Sequence, residues 1–187
     1  MKISTLKVLT VPFLLLVVAA SAIAVDAPRV PRNTVALTEK SLDDRFNKLW
    51  SDNPFVVLGP TRGVYLEGYG AVFTAEINLV AGVPIGVMMP PPDNQEKARH
   101  KQLKIARISE LKAAIEKLLA ETAASPGMTA VPPDEQIVLV AFLSHFPWED
   151  ISGLPVQIMV QGTKRKLMEA QRQGGAALEA AIRAAQF

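Results

Sequence analysis

Alternating apolar and polar positions mark residues 71–80 as a strand that is buried on one face. A period of two is typical of a half-buried β-strand. Two short apolar runs precede this strand, at residues 55–58 and 63–66, and the glycines at 68 and 70 permit a tight reversal before it. We therefore predict a hairpin or meander over residues 55–80. The inward-facing positions of the long strand are Ala71, Phe73, Ala75, Ile77 and Leu79.

The stretch Gln95–Ala124 has the three-to-four-residue apolar spacing of a helix with one buried face. Glu, Lys, Arg and Ala, which favour helices, fill most of the other positions. Asp93 or Asn94 can cap its start, and Ser125-Pro126-Gly127 ends it. The positions predicted to be buried are Ile105, Ile108, Leu111, Ile115, Leu118 and Leu119.

Two more strands and a last helix follow. The run from Gln136 to Ser144 is apolar on both faces, which predicts a central buried strand, and Pro155–Gln161 alternates as a second strand. Thr163 can cap a final helix that starts at Lys164. The glycine pair at residues 174–175 should kink or break this helix before the alanine-rich end of the chain.

A short helix before the first strand completes the order of elements. Thr38 or Ser41 can cap it, Leu42 and Phe46 share one face, and Asn53-Pro54 ends it. The resulting order, α-β-β-β-α-β-β-α, predicts an α+β fold with a mainly antiparallel sheet of about five strands, a long central helix and a C-terminal helix. Profilin-like and roadblock-like domains have a similar layout, and this similarity concerns the order of elements alone.

The first 24 residues have the pattern of a secretory signal peptide. Lys2 and Lys7 supply the positive start, Val8–Ala20 is a continuous apolar run, and Ala22 and Ala24 occupy the positions that a signal peptidase accepts. The apolar run is shorter than the roughly 20 residues of a membrane-spanning helix. We predict cleavage after Ala24, a flexible leader over residues 25–38 and a single domain over residues 39–187.

Removing this segment changes the charge of the chain. Two of the 20 basic residues lie in the signal peptide and none of the 18 acidic ones, so the remaining 163 residues carry no formal net charge. A neutral domain gives no reason to expect nucleic acid as a partner. The chain has no cysteine, which excludes disulfides, a lipidated cysteine and thiolate metal sites. We expect a secreted or periplasmic protein without a further transmembrane segment.

Polar side chains cluster at the predicted hairpin. Glu67 could act as a base with Tyr65 or Tyr69 as an acid, and Arg62 could keep Glu67 ionised. These four residues are the catalytic candidates of the chain. The favoured alternative is that Glu67 belongs to a turn and the tyrosines are half-buried strand residues.

A second group of candidates combines the two histidines with a loop that contains Trp148. His100, His145 and an acid such as Glu149 or Asp150 are residue types that can hold zinc or iron. No recognised ligand spacing is present, and the neighbours of His100 are both basic, so we predict no metal site. No phosphate- or dinucleotide-binding glycine motif is present either, and we predict no cofactor. We expect the two acids to cap a turn and Trp148 to anchor the loop to the core.

Two stretches are candidates for binding a partner. The proline-rich loop at residues 82–94 carries five apolar side chains that must either pack or bind. The first half of the long helix is basic, which suits an acidic partner or anionic lipid headgroups, and the alternative is an ordinary solvated face. The candidate binding residues are Val83, Ile85, Val87, Met88, Met89, Lys97, Lys101 and Lys104.

The segment Gly63–Thr74, with the sequence GVYLEGYGAVFT, resembles a segment of uncharacterised exported bacterial proteins. The resemblance implies a bacterial envelope setting, and it assigns no activity and no catalytic residue. We expect a non-enzymatic domain that binds a protein or an envelope surface through the apolar Val83–Pro92 loop and the basic helix faces. The alternative is a small hydrolase or ligand-binding domain that uses the cluster at the hairpin.

Overall fold

The computed structural model of the protein describes residues 30–49, 55–81 and 92–187. The predicted signal peptide and the binding candidates Val83, Ile85, Val87, Met88 and Met89 lie outside the described residues. Within the described residues, no helix is long and apolar enough to cross a membrane.

The described residues contain helices and one mixed sheet, which confirms the predicted α+β class. The helices are α1 (Arg32–Phe46), α2 (Asn94–Ala123), α3 (Lys164–Gln173) and α4 (Gly175–Ala181), and a 3-10 turn spans Pro126–Met128. The strands are β1 (Val56–Val57), β2 (Arg62–Leu66), β3 (Gly70–Asn78), β4 (Gln136–Leu143), β5 (Gln157–Thr163) and β6 (Arg183–Gln186).

The sheet has β1 and β2 on the same edge of β3, followed by β4, β5 and β6. The β3–β4 pair is parallel and every other pair is antiparallel. A parallel pair needs a crossover connection, and α2 lies within this one. As predicted, β4 is central and buried, and the alternating residues of β3 point into the core.

Close backbone packing explains Gly70 at the start of β3. Its φ is +134°, and a Cβ atom there would lie 1.9 Å from the backbone oxygen of Gln136. The amide of Gln136 also donates to the carbonyl of Tyr69 at 2.8 Å. A glycine therefore allows the first residues of the two parallel strands to meet.

The first helix begins earlier than predicted. It starts at Arg32, directly after Pro31, so neither Thr38 nor Ser41 is its N-cap and residues 32–38 are helix rather than leader. The physical reason is a buried stripe that extends towards the N-terminus, because Val35 and Thr38 continue the helical spacing of Leu42 and Phe46. The predicted domain boundary at residue 39 therefore falls inside α1.

Helix α2 has nearly the predicted bounds, and Asp93 caps it. The Asp93 side chain accepts from the Glu96 amide at 2.8 Å, and the Glu96 carboxylate accepts from the Asp93 amide at 3.1 Å. One predicted core position is wrong, because Ile105 is 45% exposed while Lys104 and Arg107 are only 1% and 2% exposed. Both basic residues lie on the stripe that continues through the core residues of α2.

The C-terminal end also differs from the prediction. The helix breaks at Gly174, where φ is +72°, as the glycine pair indicated. The last residues, however, form strand β6 rather than a helix, and β6 pairs with β5 in the register Gln161–Arg183. The alanine-rich sequence favours a helix, and pairing with the free edge of β5 outweighs that preference.

The described helices and one face of the sheet share a single apolar core. Its fully buried members include Phe46, Phe73, Leu111, Ile115, Leu119, Met128 and Ile137. The opposite face of the sheet, here called the open sheet face, lies outside this core cluster. From the register, it carries Val64 and Phe142, which are exposed, Val72 and Met159, which are half-buried, and Val138 and Val140, which are buried.

A buried lysine joins the turn after α2 to the start of α3. The Lys164 ammonium donates to the carbonyls of Met128 at 2.7 Å, Thr129 at 3.4 Å and Val131 at 2.6 Å. Burial lowers the pKa of Lys164 below its usual value of 10.5. These carbonyls give the buried cation its polar partners.

Candidate functional site

The four catalytic candidates at the hairpin do not come together. Arg62 lies on the exposed side of β2 and Tyr65 on the other side, while Glu67 and Tyr69 lie in the exposed turn that follows. Tyr65 and Glu67 do not share a strand face, because β2 ends at Leu66.

Tyr65 instead binds a glutamate before β4. Its hydroxyl donates to the Glu135 carboxylate at 3.1 Å, and the Gly68 amide donates to the same oxygen at 3.1 Å. The pKa of Tyr65 is raised to about 12, first by burial and then by the hydrogen bond and charge of Glu135 and by the charge of Glu67. A phenol with this pKa holds its proton firmly at neutral pH, so this arrangement favours a structural role.

Arg62 contributes to a different feature, a cavity at the open sheet face. This cavity, here called the outer cavity, has a volume of about 300 Å³. Its lining includes Leu58, Pro60, Arg62, Thr74, Glu76 and Phe142. Arg62 makes no ion pair within the described residues, whereas the Glu76 carboxylate accepts from the Ser144 hydroxyl at 2.5 Å.

The three lysines of α2 that are binding candidates have three different environments. Lys97 is half-buried, and Lys101 bonds to Asp150 at 2.6 Å and to the Ser152 hydroxyl at 2.8 Å. Lys104 is buried, so the prediction that it forms part of a binding surface is wrong. The reason is its position on the inner stripe of α2, where the side chain meets the loop that follows β4.

Four titratable side chains meet where the carboxyl end of β4 approaches α2, and we call Lys104, Glu149, His145 and His100 the carboxyl-edge cluster. Lys104 bonds to the Glu149 carboxylate and donates to the carbonyl of Ser144 at 3.1 Å. The His145 Nδ1 atom lies 3.3 Å from both the Lys104 ammonium and a Glu149 oxygen. His100 Nδ1 lies 3.8 Å from the other Glu149 oxygen. A carboxylate that is 4% exposed thus lies among three groups that can be cationic.

Burial dominates the electrostatics of this cluster. It lowers the pKa of Lys104, and the bond and charge of Glu149 oppose that change. It also lowers the pKa of His100, where the charge of Glu149 acts in the opposite direction and Lys104 and Arg107 act with burial. Within the described residues, no group of three or more His, Cys, Asp or Glu side chains could hold a metal ion.

Aromatic rings close the cluster on one side. Trp148 stacks on Phe146 with ring centroids 5.6 Å apart and meets the His100 ring edge-on at 4.9 Å. Trp148 thus joins the loop to α2 through His100, and it is not among the side chains that pack against the apolar core. Asp150 caps its turn by accepting from the Ser152 amide at 3.0 Å, whereas Glu149 does not cap a turn and binds Lys104 instead.

Sequence reasoning missed a cavity at the amino ends of β3 and β4. It has a volume of about 310 Å³, and its lining includes Tyr69, Gln136, Gln161, Thr163, Lys166 and Arg183. We call it the amino-edge cavity. Arg183 reaches it only because residues 183–186 form β6, which pairs Arg183 with Gln161. A helix predicted for that segment would not place these two residues side by side.

Comparisons with known proteins do not assign a function. No family model matches the sequence, and neither the curated proteins nor the solved structures include one that is significantly similar to the chain.

Proposed function

We propose that this protein is an exported, non-enzymatic binding domain of the bacterial cell envelope that holds a partner protein on its open sheet face. The export part of the proposal rests on the signal-peptide pattern of residues 1–24. The binding part rests on one observation, the outer cavity and its apolar margin. The apolar loop at Val83–Met89 stays a prediction of a second contact.

Apolar side chains are exposed around the outer cavity. Phe142 and Leu58, which line this cavity, are 44% and 47% exposed, and Val64 on the same sheet face is 49% exposed. Exposed apolar patches of this kind, with polar residues at their margin, are typical of sites that contact another protein. The cavity between them can receive one anchoring side chain. A few such anchoring residues supply most of the affinity of a typical protein interface.

The charged side chains in the outer cavity indicate which chemical groups the partner should carry. Arg62 lies in the lining of the outer cavity without an ion pair in the described part of the chain, while Glu76 is held by Ser144. A partner that inserts an apolar side chain and places a carboxylate beside it would complete both features. We therefore expect an acidic group next to the anchoring residue of the partner.

Site-specific photo-crosslinking in cells tests this proposal. A photoreactive phenylalanine analogue at Phe142 should give an adduct with one envelope protein, and Arg62→Glu should reduce the yield at least fivefold. Ile105 is the matched control, because it is equally exposed but lies on the helix layer. Peptide mapping of the adduct should find an apolar partner residue with an adjacent acid.

Three outcomes would contradict the proposal. These are an adduct with a second copy of the chain, an adduct with lipid, and equal yields at positions 142 and 105. Binding that depends on catalytic turnover of the partner would contradict the non-enzymatic part alone.

A further inference from the structure

The amino-edge cavity lies at the opposite end of β4 from the carboxyl-edge cluster. Gln136 and Thr163 face each other across β4 and β5, and Gln161 and Arg183 face each other across β5 and β6. Tyr69 enters from the hairpin turn and Lys166 from the first turn of α3. The hairpin turn, three strands and two helices thus all contribute to the lining of one cavity.

The cavity is positively charged. Lys166 and Arg183 are two of its lining residues, and no Asp or Glu is among them. Neither cation makes an ion pair or a side-chain hydrogen bond within the residues that the structure describes. By contrast, Arg165, next to Lys166, is paired with Asp134 at 2.6 Å. The cavity therefore concentrates two cations that have not been neutralised.

The lining also contains uncharged polar groups, besides Gly162, Ala180 and Ala181. The Gln136 amide donates to the Thr163 hydroxyl at 3.2 Å, which leaves the hydroxyl proton available for donation. The Tyr69 hydroxyl and the Gln161 amide make no side-chain hydrogen bond in the described part of the chain. Hydroxyls and amides both donate and accept, so they suit a ligand whose own groups are hydroxyls.

From this lining we infer that the amino-edge cavity binds a monosaccharide that carries a phosphate or a carboxylate. Lys166 and Arg183 would hold the anionic group, and the amides and hydroxyls would bond to the sugar hydroxyls. The exposed ring of Tyr69 offers a flat surface to the apolar side of a sugar ring. A volume of about 310 Å³ lies at the lower end of the range for small-molecule sites, so it fits one sugar unit.

This site lies on the same sheet face as the outer cavity but at the other end of β4, because Gln161 pairs with Val138 in the register. The two cavities share no lining residue. Loss of sugar binding would therefore leave the crosslink at Phe142 unchanged, and a failed crosslink would leave sugar binding unchanged. The two proposals can be tested and rejected separately.

Calorimetric titration of the purified protein tests the inference with four probes. Glucose 6-phosphate or glucuronate should bind at least tenfold more tightly than both glucose and inorganic phosphate. Comparison of the two acids shows which anionic group the cavity prefers. An affinity for inorganic phosphate equal to that for both sugar acids would overturn the proposed role of the sugar hydroxyls.

Three variants locate the binding. Lys166→Gln and Arg183→Gln should each lower the affinity for the preferred probe about tenfold, and Tyr69→Phe should lower it about threefold. Arg172→Gln is the matched control, because Arg172 is exposed on the same helix as Lys166 and is not in the lining of the cavity. Equal affinities for all four variants, or no binding of any probe, would overturn the inference. Circular dichroism checks that each variant is folded.

Discussion

Replacing Glu149 by glutamine should leave a buried cation without its anion. Lys104 is 1% exposed and Glu149 4% exposed, so water cannot replace the lost charge. After the substitution, the Lys104 ammonium would keep its hydrogen bond to the carbonyl of Ser144 at 3.1 Å and its contact with His145 Nδ1 at 3.3 Å. The variant therefore isolates the contribution of one carboxylate inside the carboxyl-edge cluster.

The expected cost follows from this geometry. Breaking a buried ion pair by removing one partner costs about 3–5 kcal/mol, and the remaining carbonyl places Glu149→Gln near the lower end, at about 3 kcal/mol. Adding Lys104→Met removes the orphaned charge with a side chain of similar length. Apolar replacement of a whole buried pair is often neutral, so the double variant should regain at least half of the loss.

The stability of Glu149→Gln should also depend on pH. Burial already lowers the pKa of Lys104, and removal of the carboxylate removes the group that opposes this change. Between the lowered folded-state pKa and 10.5, the unfolded chain binds more protons than the folded chain. Stability should therefore rise with pH through this window, by up to about 1.4 kcal/mol per pH unit.

Urea unfolding at pH 7 and pH 9 measures these effects. The matched control is Asp134→Asn in the exposed pair with Arg165, which should change the free energy of unfolding by less than about 0.5 kcal/mol. A cost below about 1 kcal/mol for Glu149→Gln, together with additive single and double variants, would refute the reasoning. It would mean that Lys104 and Glu149 are both solvated.

Four further predictions follow from other parts of the chain. Gly70→Ala should cost more than about 3 kcal/mol, because its Cβ would meet backbone, whereas Gly68→Ala, with open space around it, should cost about 1–2 kcal/mol by urea unfolding. The pKa of His100 is lowered, so the unfolded chain takes up its proton first and stability should fall as pH drops below 6.5; His100→Phe should flatten this fall in thermal melts. Ultraviolet titration should give a phenol with a midpoint near 12 that Glu135→Gln shifts down, and an unchanged midpoint would contradict the bond to Tyr65. Cell fractionation and N-terminal sequencing should find the processed chain in the periplasm or medium, starting at Val25, and a cytosolic precursor would contradict export.

Long periodic segments could be predicted from the sequence because burial fixes their pattern. The alternation of apolar and polar residues in β3 and the apolar run of β4 both arise because these strands pack against the same core. Both strands lie where the sequence indicated. Local propensity failed where tertiary pairing decides. Alanines at the C-terminus favour a helix, but the edge of β5 is available and makes them part of β6.

Side-chain partners were harder to predict than elements. Lys104 lies four residues before Ile108 on the same helical stripe, which was a usable signal that it faces inward. Its partner Glu149 lies 45 residues away, and only the fold brings that loop to α2. The amino-edge cavity was missed for the same reason. Tyr69 and Arg183 are far apart in the sequence, and only the order of the strands in the sheet brings them to one cavity.

The three bonds of Lys164 have a consequence for a chain without cysteine. They hold residues 128–131 to the start of α3 across more than 30 positions, a span that a disulfide would close in many exported proteins. A cross-link made by an ammonium and carbonyls needs no oxidant to form and no reductant opens it. The fold should therefore have the same stability with and without dithiothreitol, and it can be reached in a reducing compartment as well as in an oxidising one.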